Sequence, residues 1–96
     1  MGALARAAEV RAKRAEVKRS LKAGESDPVE ALEDPVMQRA LASEFIHSLP
    51  GVGDKKCDGI MRALGISSRK RVGGLGRHQR AALKAYLEAK HVDQQD

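Results

Sequence analysis

The chain has 96 residues, 42% of them hydrophobic, and a net charge of +5, with a pI near 9.7. That length predicts one small domain with a modest core, and the single cysteine, Cys57, excludes an internal disulfide and a cysteine-rich zinc site. No stretch is long and apolar enough to span a membrane or form a signal-peptide core, so the reading is a cytoplasmic protein whose basicity calls for a polyanionic partner.

Ala, Leu, Lys, Arg and Glu dominate, and the only aromatics are Phe45 and Tyr86, so the fold class read from composition is all-α. Charge is segregated along the chain. Residues 1–24 carry seven Lys or Arg against two acids, residues 25–50 one Arg against six acids, and residues 51–96 ten cations against five acids. Two basic blocks therefore flank an acidic middle.

Residues 3–23 predict one long basic helix, free of Gly and Pro and stopped by Gly24. Its apolar stripe is narrow: Val10, Val17 and Leu21, extended backwards by Ala7 and Ala3. The C-terminal half is expected to dock through Val17 and Leu21 while the N-terminal half projects. Arg11, Arg14 and Lys18 are its candidate phosphate contacts. Asp27-Pro28-Val29-Glu30 reads as a cap, a first-turn proline and a capping box, predicting a short helix over 28–33. Asp34-Pro35 repeats the signal and predicts another, with Val36, Met37, Ala40 and Leu41 on its apolar face. Ser43 marks a further start, Phe45, Ile46 and Leu49 a buried cluster, and Pro50 the stop.

A tight turn over 51–53 comes next, then a helix over 54–64 whose apolar face is Cys57, Ile60, Met61 and Leu64, closed by Gly65. Ser67 or Ser68 is expected to start a helical turn carrying Arg69, Lys70 and Arg71, broken at Gly73-Gly74. A last helix over 77–90 buries Ala82, Leu83, Tyr86 and Leu87, and 92–96 reads as a disordered polar tail. No strand is expected. The domain reading is a basic helix over 1–24, a compact helical domain over 25–91 and the tail over 92–96.

Leu49-Pro50-Gly51-Val52-Gly53 followed by Asp54-Lys55-Lys56-Cys57 carries the functional signal. Two short helices joined by an apolar-Pro-Gly-apolar-Gly turn resemble a helix-hairpin-helix, or the related helix–two-turn–helix. Gly51 and Gly53 are both expected to be needed for the sharp turn. Their N–H groups lie just before a helix N-terminus, where a phosphate can bind, and Lys55 and Lys56 add charge beside it. Such a site reads backbone and not bases. A second constellation places Arg69, Lys70 and Arg71 before a Gly-rich link and the next helix N-terminus. There Arg77, Arg80 and Lys84, spaced i, i+3, i+7, are expected to share one exposed face suited to phosphates or the minor groove. Cys57 reads as a small packing residue, and His47, His78 and His91 lie at no metal-ligand spacing, so neither metal nor cofactor is expected.

Taken together, these pieces resemble the actinobacterial integration host factor family over nearly the whole chain. The matches are Arg11-Ala-Lys-Arg-Ala-Glu-Val-Lys18, Leu49-Pro-Gly-Val-Gly53, Ile60-Met61, and Arg71-Val-Gly-Gly-Leu-Gly76 followed by Gln79 and Leu83. The resemblance implies a monomer that binds double-stranded DNA with low sequence specificity in the nucleoid, bends or compacts it, and assists phage integrases in site-specific recombination. It implies two DNA surfaces, one at Gly51, Gly53, Lys55 and Lys56, the other at Lys70 and Arg71. The sequence departs at Gly73, where the family usually carries another arginine; Arg69 or Arg77 would compensate.

Two alternatives share the turn. It resembles that of the small-subunit ribosomal protein of the S13 type, an RNA binder, whose long basic C-terminal extension contrasts with Asp93-Gln94-Gln95-Asp96 here. Lys55 also stands where helix-hairpin-helix DNA glycosylases carry a catalytic lysine. That chemistry needs a downstream aspartate and a pocket for a flipped base, and no Asp occurs between Asp58 and Asp93. A binding protein, not an enzyme, is the expectation.

Overall fold

The computed structural model describes the backbone of residues 3–95 and the side chains of residues 6–89. Its first element is the long helix α1 (Ala3–Lys22), which has no acid in its first turn and Arg19 and Lys22 in its last. Cations at that end favour the helix dipole. Gly24, at φ 74°, closes the helix, with Glu25 N–H donating to Ser20 O at 2.8 Å and Gly24 N–H to Leu21 O at 3.0 Å. This is the Schellman pattern, and it needs the left-handed conformation that glycine adopts freely. Leu21 is fully buried and Val17 packs against the core, as the apolar stripe predicts. Residues 11–13 are exposed, so only the C-terminal half of α1 is held by packing.

Asp27 caps α2 (Pro28–Glu33) by accepting from Val29 N–H. Asp34 accepts in the same way from Val36 N–H, yet the element it starts is a single 3-10 turn, Pro35–Met37. The helix expected after Asp34-Pro35 does not extend further because residues 38–42 bond elsewhere. Gly73 N–H donates to Gln38 O at 2.8 Å, Val72 N–H to Ala40 O at 2.9 Å, and Ala42 N–H to Lys70 O at 2.8 Å. Leu41 and Arg71 thereby form an isolated antiparallel bridge, an extended pairing that no alternation in the sequence announces. The apolar residues serve the same end as expected: Met37 and Ala40 are buried.

α3 (Ala42–His47) starts one residue before Ser43 and places Phe45 and Ile46 in the core. Leu49-Pro50-Gly51-Val52 then reverses the chain. Val52 N–H donates to Leu49 O at 3.2 Å, Pro50 precedes Gly51, and Gly51 has φ 74°. Pro followed by a left-handed Gly inside an i to i+3 bond is a type II turn. α4 (Asp54–Ala63) buries Cys57, Ile60 and Met61 and packs against α3. The turn expected from Ser67 or Ser68 starts at Ser67, whose backbone O accepts from Lys70 N–H at 3.1 Å and whose Oγ accepts from Arg69 N–H at 3.3 Å, but it does not carry on through Arg71: the bonds to 38–42 draw residues 70–72 away, and a separate 3-10 turn follows at Val72–Gly74.

α5 (Arg77–Gln95) runs well past the expected end at 90. No Gly or Pro follows Arg77 to stop it. The residues read as a polar tail are thus helical through Gln95, with Asp96 outside the described residues. Leu83 and Leu87 are the α5 anchors, joining Phe45, Leu21, Leu32, Met37, Ile46 and Val72 as the largest fully buried side chains. Ala82 and Tyr86 are half-buried. The architecture is all-α: no strand occurs among the described residues, and their core is one apolar cluster to which every helix contributes.

Candidate nucleic-acid interface

The turn surface rests on how α4 begins. Gly53 is its N-cap and supplies no side-chain hydrogen bond. The first N–H used inside the helix is that of Cys57, to Gly53 O at 2.9 Å. The N–H groups of Asp54, Lys55 and Lys56 therefore have no acceptor among the described residues, at the positive pole of the helix dipole. Gly51, Gly53, Lys55 and Lys56 are all exposed there. The two glycines have different reasons to be glycine. Gly51 is fixed by its positive φ. Gly53 is extended, at φ −97° and ψ −170°, and a Cβ built on it meets nothing within 4 Å. The expectation that both are needed for the turn is corrected: Gly53 can be replaced as far as the backbone is concerned.

Two contacts at this turn escaped sequence reasoning. His47 Nε2 lies 2.8 Å from Asp54 Oδ1, linking the end of α3 to the start of α4. Lys22 Nζ, reaching over from α1, donates to the carbonyls of His47 at 2.8 Å, Leu49 at 3.1 Å and Val52 at 3.0 Å. No sequence signal marks a terminal helix lysine for this. A groove of about 800 Å³ lies beside these residues, with Lys18 and Arg19 facing Glu44, Asp54 and Asp58. Its mixed charge makes it no cradle for a polyanion. At its base Cys57 donates to Ser43 O at 3.5 Å. Burial foremost, then the charges of Asp58 and Asp54, push the Cys57 thiol up. A buried, protonated thiol is a poor nucleophile, so iodoacetamide at pH 8 is expected to alkylate the folded protein at least tenfold more slowly than the urea-unfolded chain; equal rates would show the thiol exposed.

The α1 candidates divide. Arg11 is exposed, without a side-chain partner among the described residues. Arg14 is half-buried and its Nε donates to Val36 O at 3.1 Å. Lys18 pairs with Glu44 at 3.6 Å. Both turn back to dock α1 against the 3-10 turn and α3.

The second surface is held by the bonds between residues 38–42 and 70–73. Arg69 and Arg71 are exposed and Lys70 is half-buried. Arg71 Nη1 donates to Arg39 O, which brings exposed Arg39 beside the cluster. Sequence reasoning missed Arg39 because it is the lone cation in the acidic middle; only the antiparallel bridge brings it here. α5 begins at an equally bare cap. Gln79 Oε1 accepts from Gly76 N–H at 3.0 Å and Arg80 N–H donates to Gly76 O at 2.8 Å, leaving the N–H groups of Arg77, His78 and Gln79 open. Arg77 and Lys84 are exposed. Arg80 is not part of that face. Its Nη2 donates to Val72 O at 2.8 Å and Gln38 Oε1 at 3.1 Å, and its Nη1 reaches Leu32 O at 3.5 Å. Arg80 stands i, i+3, i+7 with the buried Leu83 and Leu87, on the core-facing stripe, and the shared exposed face expected for Arg77, Arg80 and Lys84 is corrected accordingly.

Gly73 has a local reason as well. A Cβ there would stand 3.0 Å from Gln38 O and 3.2 Å from Gln38 Cβ. Gln38 is itself pinned, donating from Nε2 to Leu32 O at 2.9 Å and Asp34 O at 2.8 Å, so it yields poorly. Gly73→Ala is expected to cost about 1 kcal/mol, lowering the thermal midpoint by roughly 4–8 °C; an unchanged midpoint would mean that Gln38 gives way freely.

Residues 10–87 match the family described as an S13-like H2TH domain. Integration host factor from Streptomyces coelicolor is 42% identical over 86 residues, covering 85% of this chain and 80% of that protein. Integration host factor from Mycobacterium tuberculosis is 39% identical, with 84% and 81% covered. A 47% identical stretch of 49 residues occurs in a guanylate kinase of Leifsonia xyli, where it spans 51% of this chain but only 19% of the kinase. A solved structure of sIHF bound to an 8-bp palindromic DNA superposes with a TM-score of 0.77 at 38% identity, covering 85% of this chain and 97% of that one. With the helix–two-turn–helix in place and most of both lengths matched, this chain belongs to the integration host factor family of Streptomyces and Mycobacterium and carries an S13-like H2TH domain.

Proposed function

We propose that this chain binds double-stranded DNA through its phosphate backbone, with little sequence preference, as a nucleoid-associated protein of the cytoplasm that catalyses no reaction. The observation that carries the reading is the bare, Gly53-capped start of α4, whose free N–H groups stand beside Lys55 and Lys56. The sIHF relative, bound to DNA and 38% identical, supports duplex DNA over other polyanions. Phosphate contacts are assigned to Gly51, Gly53, Lys55 and Lys56 on the turn, to Arg69, Lys70, Arg71 and Arg77 on the loop side, and to Arg11 on α1. Arg39 joins the loop group on the ground of its exposure beside Arg71. Arg14 and Arg80 are assigned to holding the fold, and Lys18, in a solvated pair with Glu44, adds little to it. The protein acts as a monomer, bends or compacts DNA by engaging it through two surfaces, and serves phage integrases in recombination. The short stretch shared with the kinase, 19% of that protein, brings no phosphotransfer reading with it.

The test is a salt titration of binding to mixed-sequence duplex DNA and duplex RNA. Phosphate contacts release counterions at roughly 0.9 per phosphate, so with the eight cations assigned DNA binding should weaken with a log–log slope of about −7 and vary little with sequence. A flat salt response would refute backbone binding. Preference for the RNA duplex would move the reading to the ribosomal type.

A further inference from the structure

Three backbone carbonyls converge where α3 gives way to α4, and one ammonium satisfies them all. Lys22 Nζ has three N–H donors, and His47, Leu49 and Val52 supply three acceptors, at 2.8, 3.1 and 3.0 Å. Carbonyl oxygens aimed at one point repel one another unless a cation or donor sits between them. The end of α3 leaves such groups unpaired by its own helix. Lys22 is fixed from the other side as the last residue of α1, between fully buried Leu21 and the closure at Gly24. With its donors committed, this ammonium is no phosphate contact, although it belongs to the basic first block. The carbonyls it holds belong to the residues that aim the N–H groups of α4 outward.

We infer that Lys22 is the positioning residue of the phosphate-binding turn: its ammonium locks the carbonyls of His47, Leu49 and Val52 and thereby sets the open N-terminus of α4 at the angle that meets a phosphate. The inference rests on the reading of that turn as a DNA contact. It ties the turn's geometry to the packed C-terminal half of α1, the helix that carries Arg11.

The experiment measures binding to a mixed-sequence duplex for Lys22→Met, Lys22→Arg and Lys55→Met, each well below its unfolding temperature. Both Lys22 variants are expected to bind five- to tenfold more weakly with an unchanged salt slope, because no phosphate contact goes with the side chain. Arginine keeps the charge, but its planar fork does not reproduce a compact three-donor ammonium; it also carries the test if Lys22→Met fails to fold. Lys55→Met should instead lose affinity and about one unit of slope. In Lys22→Ala, methylammonium chloride should restore affinity relative to tetramethylammonium chloride at equal concentration, since only the former brings N–H donors to the vacated carbonyls. Wild-type affinity in Lys22→Arg, a slope one unit shallower in Lys22→Met, or equal affinity of Lys22→Ala in the two salts would overturn the inference. Wild-type affinity in Lys55→Met combined with Gly53→Asp would overturn the turn reading itself, and this inference with it.

Discussion

Gly53→Asp is expected to leave the fold at least as stable as the native chain and to weaken DNA binding by tenfold or more. The two halves have separate causes. The extended backbone of Gly53 accepts any residue, and open space awaits the new Cβ. An aspartate at an N-cap accepts from the free N–H groups and gains a few tenths of a kcal/mol over glycine, about 1 at most when the dipole is included. Repulsion from neighbouring Asp54 trims that gain. For a ligand the same change is adverse. It occupies the N–H groups and puts a carboxylate where a phosphate would come. Two like charges about 5 Å apart repel by roughly 1 kcal/mol in water and about 3 at a protein surface, and each 1.4 kcal/mol is about tenfold in affinity. Gly51→Ala is the counterpart: with φ 74° it should cost about 1–2 kcal/mol of stability. Thermal melts and duplex titrations on the pair would separate the roles, and a Gly53→Asp protein that melts early or binds normally would refute the assignment.

Arg80→Ala should be the most damaging change to a charged residue. Its guanidinium holds Val72 O and Gln38 Oε1 and reaches Leu32 O, while its ion pair with Glu33, at 3.8 Å, is partly solvated and adds little. Hydrogen bonds from a charged donor to half-buried acceptors are worth more than neutral ones, and truncation leaves Gln38 Oε1 unpaired and takes a donor from Val72 O and Leu32 O, which keep Leu75 N–H and Gln38 Nε2. We expect a loss of about 2–3 kcal/mol and a fall of roughly 10–20 °C in the melting midpoint. The bonds from Gln38 and Ala40 to the Arg-rich loop should loosen first, seen as faster hydrogen exchange at Val72 and Gly73 than at Leu83. A melting midpoint within about 2 °C of the native value would show Arg80 to be a surface cation after all.

How far the sequence could be read depended on the range of the forces involved. Caps and turns are local, so Asp27-Pro28 and Gly24 announced α2 and the end of α1, and the Pro-Gly run announced a sharp turn, read at 51–53 and found as a type II turn over 49–52. The apolar spacing in α4 likewise found Cys57, Ile60 and Met61. What stayed hidden were cations whose partners lie far along the chain. Arg80 bonds across 42 and 48 residues, Lys22 across 25 to 30, and Arg14 across 22. Composition weighs them like Arg11 or Lys55; spacing puts Arg14 on the stripe of Val17 and Leu21 and Arg80 on that of Leu83 and Leu87, but it does not name the distant carbonyls that they reach. The short length of the turn at Pro35–Met37 was hidden for the same reason: Asp34-Pro35 did start a helix, and a distant strip of backbone ended it.

That pairing of 38–42 with 70–73 also has a kinetic side. Its members lie some thirty residues apart, as with Arg71 and Arg39 at a separation of 32. Bringing such ends together costs chain entropy before any bond repays it. α3 and α4 lie inside the loop, and their folding shortens the path between its ends. A refolding chain should therefore build the Gly51 turn early and close the Arg-rich loop late, so that the two basic surfaces mature in sequence.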